Sequence, residues 1–246
     1  MLILLPPSET KRDGGIEGSR LDLGALSFPA IAPARRKAIA GLRSISTSIA
    51  VSTKALGLGP TQRFEIDRNR AIATSATMPA IERYTGVLFD AIGVDELSTS
   101  ERGFLGAHVV IHSALFGLLR ALDPIPAYRF SHDTRIPGTS LVKIWREPNA
   151  AALAGVAGLV LDLRSESYVH LGPAGVGSVF LRVVTEDGSG HRRALNHFNK
   201  HGKGELIRAL AMAGHDFQSV GDLVAWARGA GIRLAPGVPG ELDLIV

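Results

Sequence analysis

The chain has 246 residues, 46% hydrophobic and 20% charged, with no low-complexity tract or internal repeat, which excludes a disordered segment and predicts a single domain over residues 1–246. It has no cysteine, which excludes disulfides, thiolate metal sites and a cysteine nucleophile and fits a cytoplasmic home. The net charge of +4, from 27 Lys plus Arg against 23 Asp plus Glu, permits a polyanionic partner without demanding one, so the question becomes where the cations gather.

The opening "MLILLPP" is too short before its prolines for a signal peptide or a membrane span, and reads as a buried first strand over residues 2–5. Apolar runs bounded by turn residues predict further strands over 109–112, 159–163, 179–184 and 242–246. Helical patterns with Ser, Asp or Pro near the start and Gly near the end fall over 33–53, 86–92, 98–106, 140–156, 203–213 and 219–229. The elements neither alternate cleanly nor segregate into blocks, so the expected fold is α+β, a mixed β-sheet core surrounded by helices. "VVTEDGSGHRRALNHF" reads as a hairpin carrying Arg192, Arg193 and His197 on its second arm.

Basic blocks occur at 34–37, 63–70 and 191–204, each of which also suits an ordinary solvated face. Between the first two lies "LGLGPTQRF". Its Leu56, Gly57, Leu58 and Gly59 have the hydrophobic-Gly-hydrophobic-Gly form of a helix-hairpin-helix turn, with Pro60 suited to start the second helix and Lys54 and Arg63 flanking. The same residues equally describe a Gly-capped helix meeting a Pro-started one, a turn that need bind nothing.

"HSALFGLLRALDPIPAYRF" gathers Ser113, Arg120, Asp123, Tyr128 and Arg129 around Gly117. Two guanidiniums there suit a phosphate or carboxylate, and an Arg120–Asp123 pair closing a loop is the plainer alternative. "LVLDLRSESYVHL" runs an apolar strand into Asp162, Ser165, Glu166 and Tyr168, a common position for a ligand site, although Ser165 also suits a simple cap. The pairs His108/His112 and His197/His201 lack companions that would complete a metal site, no Gly-x-Ser-x-Gly elbow exists, and "GPAGVGS" is neither a P-loop nor a dinucleotide fingerprint. No metal or cofactor is expected.

These segments together resemble the YaaA family of bacterial peroxide-stress proteins. The resemblance runs over nearly the full length, through "MLILLPPSETK", "LGLGPTQRF", "RYTGVLFDAI", "HSALFGLLRALDPIPAYRF", "IWRE", "LVLDLRSESY" and "NKHGKGELIRAL". Ala114, Phe116 and Ala121 stand where the family has Gly, Tyr and Pro. The resemblance implies a mixed-sheet α+β fold, a helix-hairpin-helix-like element over about 36–66, a basic cleft binding DNA, and a role in limiting oxidative damage linked to iron. It implies DNA contacts at Lys54, Gly57, Leu58, Gly59 and Arg63, with Lys11, Arg83, Tyr84, Arg120, Arg129, Lys200 and Lys203 as cleft residues.

Two functions from different classes follow. One is a DNA-binding stress protein with phosphate contacts independent of sequence. The other is an enzyme acting on a small phosphate- or carboxylate-bearing molecule, with Ser113, Arg120, Asp123, Arg129, Asp162 and Glu166 around a pocket. Residues converging in an enclosed pocket favour the second; cations along an open groove favour the first.

Overall fold

The computed structural model describes residues 1–194 and 199–246. Its strands are β1 (Leu2–Leu5), β2 (Met78–Pro79), β3 (Val109–Ser113), β4 (Gly117–Arg120), β5 (Pro124–Ile125), β6 (Val160–Asp162), β7 (Val179–Glu186), β8 (Arg192–Ala194), β9 (Leu234–Pro236) and β10 (Glu241–Ile245). The helices are α1 (Ala32–Ile45), α2 (Ile49–Leu56), α3 (Phe64–Arg70), α4 (Ala80–Arg83), α5 (Val87–Ile92), α6 (Thr99–His108), α7 (Leu141–Ala154), α8 (Glu166–His170), α9 (Asn199–Ala213) and α10 (Val220–Gly229).

Strand β1 is apolar and buried at every position, as is expected of a strand covered on both faces. It pairs in parallel with β3 on one side and β6 on the other. The main sheet runs β4-β3-β1-β6-β7-β10-β9, with β8 on β7. Its interior is parallel, whereas β4, β8 and β9 add on antiparallel. A separate two-stranded sheet joins β2 to β5. The mixed sheet and surrounding helices are the α+β fold expected from the sequence.

The register contains a step. Leu161 and Asp162 at the end of β6 pair with Val179 and Phe180 at the start of β7, so β7 and β10 continue where β1 and β6 have stopped. The chain leaves β1 and β6 at this step.

Helices α5, α6 and α9 pack on one another and on the sheet, and α1 and α7 form a second packed group. Two glycines permit these contacts. A Cβ on Gly204 of α9 would lie 2.3 Å from the Leu88 carbonyl oxygen of α5, so only glycine allows so close an approach. Gly117 has φ +70°, and a Cβ there would meet the Trp145 ring at 2.5 Å. Trp145 in turn donates its Nε1–H to the Ala114 carbonyl at 2.8 Å, fixing α7 to the β3–β4 turn.

The one helix expected over 33–53 is two. Ser46 Oγ donates to the Leu42 carbonyl at 2.7 Å and Ser52 Oγ to the Ile45 carbonyl at 2.7 Å, while Ser48 takes extended backbone angles. Serine hydroxyls compete for backbone groups in this way and end α1 at Ile45. The β7–β8 hairpin carries Arg192 and Arg193 as expected, and His197 lies outside the described residues. No helix among the described residues is long and apolar enough to cross a membrane.

Candidate functional site

A cleft of about 590 Å³ opens over the step in the sheet. Strand β7 forms its floor through Phe180 and Arg182, which stay partly exposed while the alternating Leu181 and Val183 are buried. The loop after β1, Pro6–Glu9, and the loop after β6, Leu163–Ser165, make two walls, and Asn199, Lys200 and Lys203 of α9 make a third. Phe130, His132 and Tyr168 complete the lining. Ligand sites gather where strand ends diverge in this manner.

A buried polar network stiffens the β6 wall. Arg164 has no exposure and grips Asp162 with two hydrogen bonds, Nε to Oδ1 at 2.8 Å and Nη2 to Oδ2 at 2.6 Å. Its Nη1 donates to the Gly172 carbonyl and to His112 Nδ1, both at 2.8 Å, and the Asn149 side-chain amide meets His112 Nε2 at 2.8 Å. Burial, reinforced by the Arg164 charge, pushes the His112 imidazole well below its ordinary value and keeps it neutral.

Behind the β1 wall two of the chain's three tyrosines, Tyr84 and Tyr128, meet. Tyr84 and Tyr128 hydroxyls are 2.6 Å apart, and Ser113 Oγ is 2.6 Å from Tyr128. Ser113 Oγ also accepts the N–H groups of Leu115 and Phe116, so its own proton goes to Tyr128 and it is no free nucleophile. Lys11 Nζ lies 4.2 Å from the Tyr128 ring centre and 5.3 Å from that of Tyr84, and donates to the Ser8 and Glu9 carbonyls, each at 3.1 Å. Burial pushes this amine down to about 7, with Glu65 opposing and Arg129 adding to the shift.

The structure thus separates the residues singled out in the sequence. Ser165, Glu166, Lys200 and Lys203 line the cleft, with Asp162 directly behind its wall. Arg129 reaches the rim, where it pairs with Glu9 at 2.5 Å. Arg83 has no exposure and donates to the carbonyls of Ile125, Arg12, Gly14 and Ala76. Arg120 and Asp123 sit at the β4 edge. There Asp123 accepts the N–H of Arg120 and both the N–H and hydroxyl of Ser27, closing a loop, while the Arg120 side chain donates to the Ala107 carbonyl.

The glycine turn lies between α2 and α3. Gly57 is left-handed at φ 62°, and the N–H groups of Gly57 and Leu58 return to the Thr53 carbonyl. The Gly59 N–H donates to Gln62 Oε1 at 2.9 Å. Helix α3 reaches the cleft rim through Asn69, whose side chain holds the backbone N–H and carbonyl of Arg129, each at 2.8 Å.

One feature of this region escaped the sequence reading although it was visible there. No Asp or Glu occurs between Asp22 and Glu65, and the interval holds Arg35, Arg36, Lys37, Arg43, Lys54 and Arg63. Arg35 is buried, donating to the carbonyls of Phe116, Leu118 and Ser27. The other five are exposed, and among the described residues none forms an ion pair. The Asp162–Arg164 clamp was missed as well; its signal was two opposite charges two positions apart at a strand end. Among the described residues no three His, Asp or Glu side chains gather as a metal site.

The chain matches the family model described as "Peroxide stress protein YaaA" over residues 1–232. It is similar to a UPF0246 protein of Corynebacterium efficiens, 42% identical with all of both chains covered. A UPF0246 protein of Corynebacterium glutamicum is 43% identical over 94% of each chain, and one of Streptomyces coelicolor is 35% identical over all of this chain and 98% of its own.

Proposed function

This chain belongs to the peroxide stress protein YaaA family, UPF0246, and from that membership we propose that it is a cytoplasmic DNA-binding protein that protects against peroxide, holding DNA mainly through phosphate contacts. The observation that carries this reading is the acid-free basic element formed by α1, α2 and the glycine turn. Its five exposed cations exceed the +4 net charge of the whole molecule. Charge of one sign on contiguous elements attracts a polyanion without regard to base sequence.

Lys54 and Arg63 flank the turn, and Arg36, Lys37 and Arg43 extend the surface along α1. Lys200 adds an exposed cation at the cleft. The turn's own N–H groups are engaged internally, so side chains and not the glycine backbone supply the phosphate contacts in this arrangement. Glycine serves there to make the turn tight enough to set Lys54 and Arg63 on either side of it.

Equilibrium binding of a random-sequence duplex across a salt series tests the reading. Affinity should fall linearly on a log–log plot, and the Lys54→Ala/Arg63→Ala pair should reduce the slope by roughly 2. Absence of binding at low salt sinks the proposal.

The cleft favours a second reading, a small phosphate- or carboxylate-bearing ligand. Lys200 and Lys203 supply cations, and Phe130, Tyr168 and Phe180 supply apolar walls, in a volume suited to one small molecule.

A further inference from the structure

We propose that Lys203 is an imine-forming amine, and that the cleft takes a small aldehyde or ketone bearing a phosphate or carboxylate. The proposal deepens the small-molecule reading of the cleft and rests on it.

Lys203 and Lys200 stand three residues apart on one face of α9 and both line the cleft, yet their surroundings differ. Lys200 is exposed, whereas Lys203 is only 5% exposed. Among the described residues Lys203 Nζ has one acceptor, the Leu163 carbonyl at 2.9 Å, and lies 5.8 Å from the Phe180 ring centre. No carboxylate pairs with it among the described residues. Asp162, the nearby acid, is already gripped by Arg164. An amine out of solvent, held by one carbonyl and without a carboxylate partner among the described residues, is in the environment in which lysine becomes a nucleophile. Burial, aided by the charge of Arg182, pushes its pKa down to about 8, with Asp162 opposing, so part of it is unprotonated near neutral pH.

Lys11 is the useful contrast. It is nearly as buried, but its Nζ meets two carbonyls and two tyrosine rings and does not line the cleft. The surroundings of Lys11 enclose the amine away from the cleft, whereas Lys203 contributes to the cleft lining beside Phe180.

The remaining cleft groups define the rest of the ligand. Lys200 suits its anionic group, whereas Arg182 is already paired with Glu241 and Glu166. Ser165 precedes α8 without a side-chain capping bond, which leaves its hydroxyl available for a polar group of the ligand. In the reaction the Nζ lone pair adds to the carbonyl carbon and a C–N bond forms. The two amine hydrogens and the carbonyl oxygen leave as water, and a C=N bond remains. No oxidant or reductant is consumed.

Pyridoxal 5′-phosphate is a suitable probe because it carries an aldehyde and a phosphate. The full-length protein is treated with one equivalent, reduced with borohydride and mapped by peptide mass spectrometry. The expected result is a single adduct on Lys203, suppressed by excess inorganic pyrophosphate, with pyridoxal lacking the phosphate reacting about tenfold less. Lys203→Arg retains a donor for the Leu163 carbonyl and should abolish the adduct while the melting temperature holds. No reducible adduct, or label scattered over the exposed Lys37, Lys54 and Lys143, overturns the proposal. Calorimetric titration with pyrophosphate separates the two readings: binding without an adduct removes only the imine, and no binding with no adduct removes both.

Discussion

Two regions of this molecule use the same residue type for opposite purposes. Around the sheet, Arg35, Arg83 and Arg164 are fully buried and direct their guanidiniums at backbone carbonyls or a carboxylate. Along α1 and the glycine turn, Arg36, Arg43 and Arg63 are exposed with no ion-pair partner among the described residues. A buried guanidinium satisfies several acceptors at once and fixes loops whose backbone groups would otherwise lack partners. An exposed one stays hydrated and remains free for a polyanion. Net charge therefore says little about a binding surface until the buried cations are set aside.

The sharpest break in that comparison comes from Arg164. Arg164→Ala leaves Asp162 buried without its cation, and the expected loss of stability in chemical denaturation is about 3–5 kcal/mol. Arg35→Met keeps the buried stem but strips the donors from three carbonyls, for an expected loss of about 1–3 kcal/mol.

His112 extends the comparison to pH. It is held neutral in the fold, while in the unfolded chain it takes up a proton as pH drops below its ordinary 6.5. The unfolded state then binds more protons, so His112 lowers stability progressively as pH falls through that value. Unfolding free energies measured from pH 7 to 5 should decline in the wild type, and His112→Gln should flatten the part due to this ring.

The smallest stability effect belongs to the exposed set. Lys54→Ala and Arg63→Ala should each alter unfolding free energy by no more than about 0.5 kcal/mol, because neither side chain is buried or paired. In duplex binding the same changes should each lower the salt slope by roughly 1. A variant such as Arg83→Ala that weakens binding only by unfolding the protein would show the reverse pattern.

The strand positions were legible because buried parallel strands are written as short apolar runs, as in "LILL" and "VVIHS". Strand β4 was hidden, since it starts on Gly117, which read as the centre of a cluster of polar groups, and is only four residues long. The cleft was half legible. "LDLRSES" announced a strand ending in polar groups, and the lysines of "NKHGKG" were noted as a basic segment. What joins them is the offset between β6 and β7, a long-range register that local pattern does not encode. The fate of Arg83 was equally out of reach, because the four carbonyls it binds come from three separate stretches of chain.

The step in the sheet bears on how relatives of this chain can diverge. Its shape comes from where strands start and stop, while the cleft-facing positions on β7, Phe180 and Arg182, take no part through their side chains in the backbone ladder. Substitutions there and at Ser165–Ser167 leave the backbone ladder intact, although a change at Arg182 removes its ion pair to Glu241 on β10. Under the small-molecule reading of the cleft, lineages are free to retune specificity at a handful of sites on an inherited scaffold, which makes the residues at 180, 182 and 165–167 the places to look for a change of ligand.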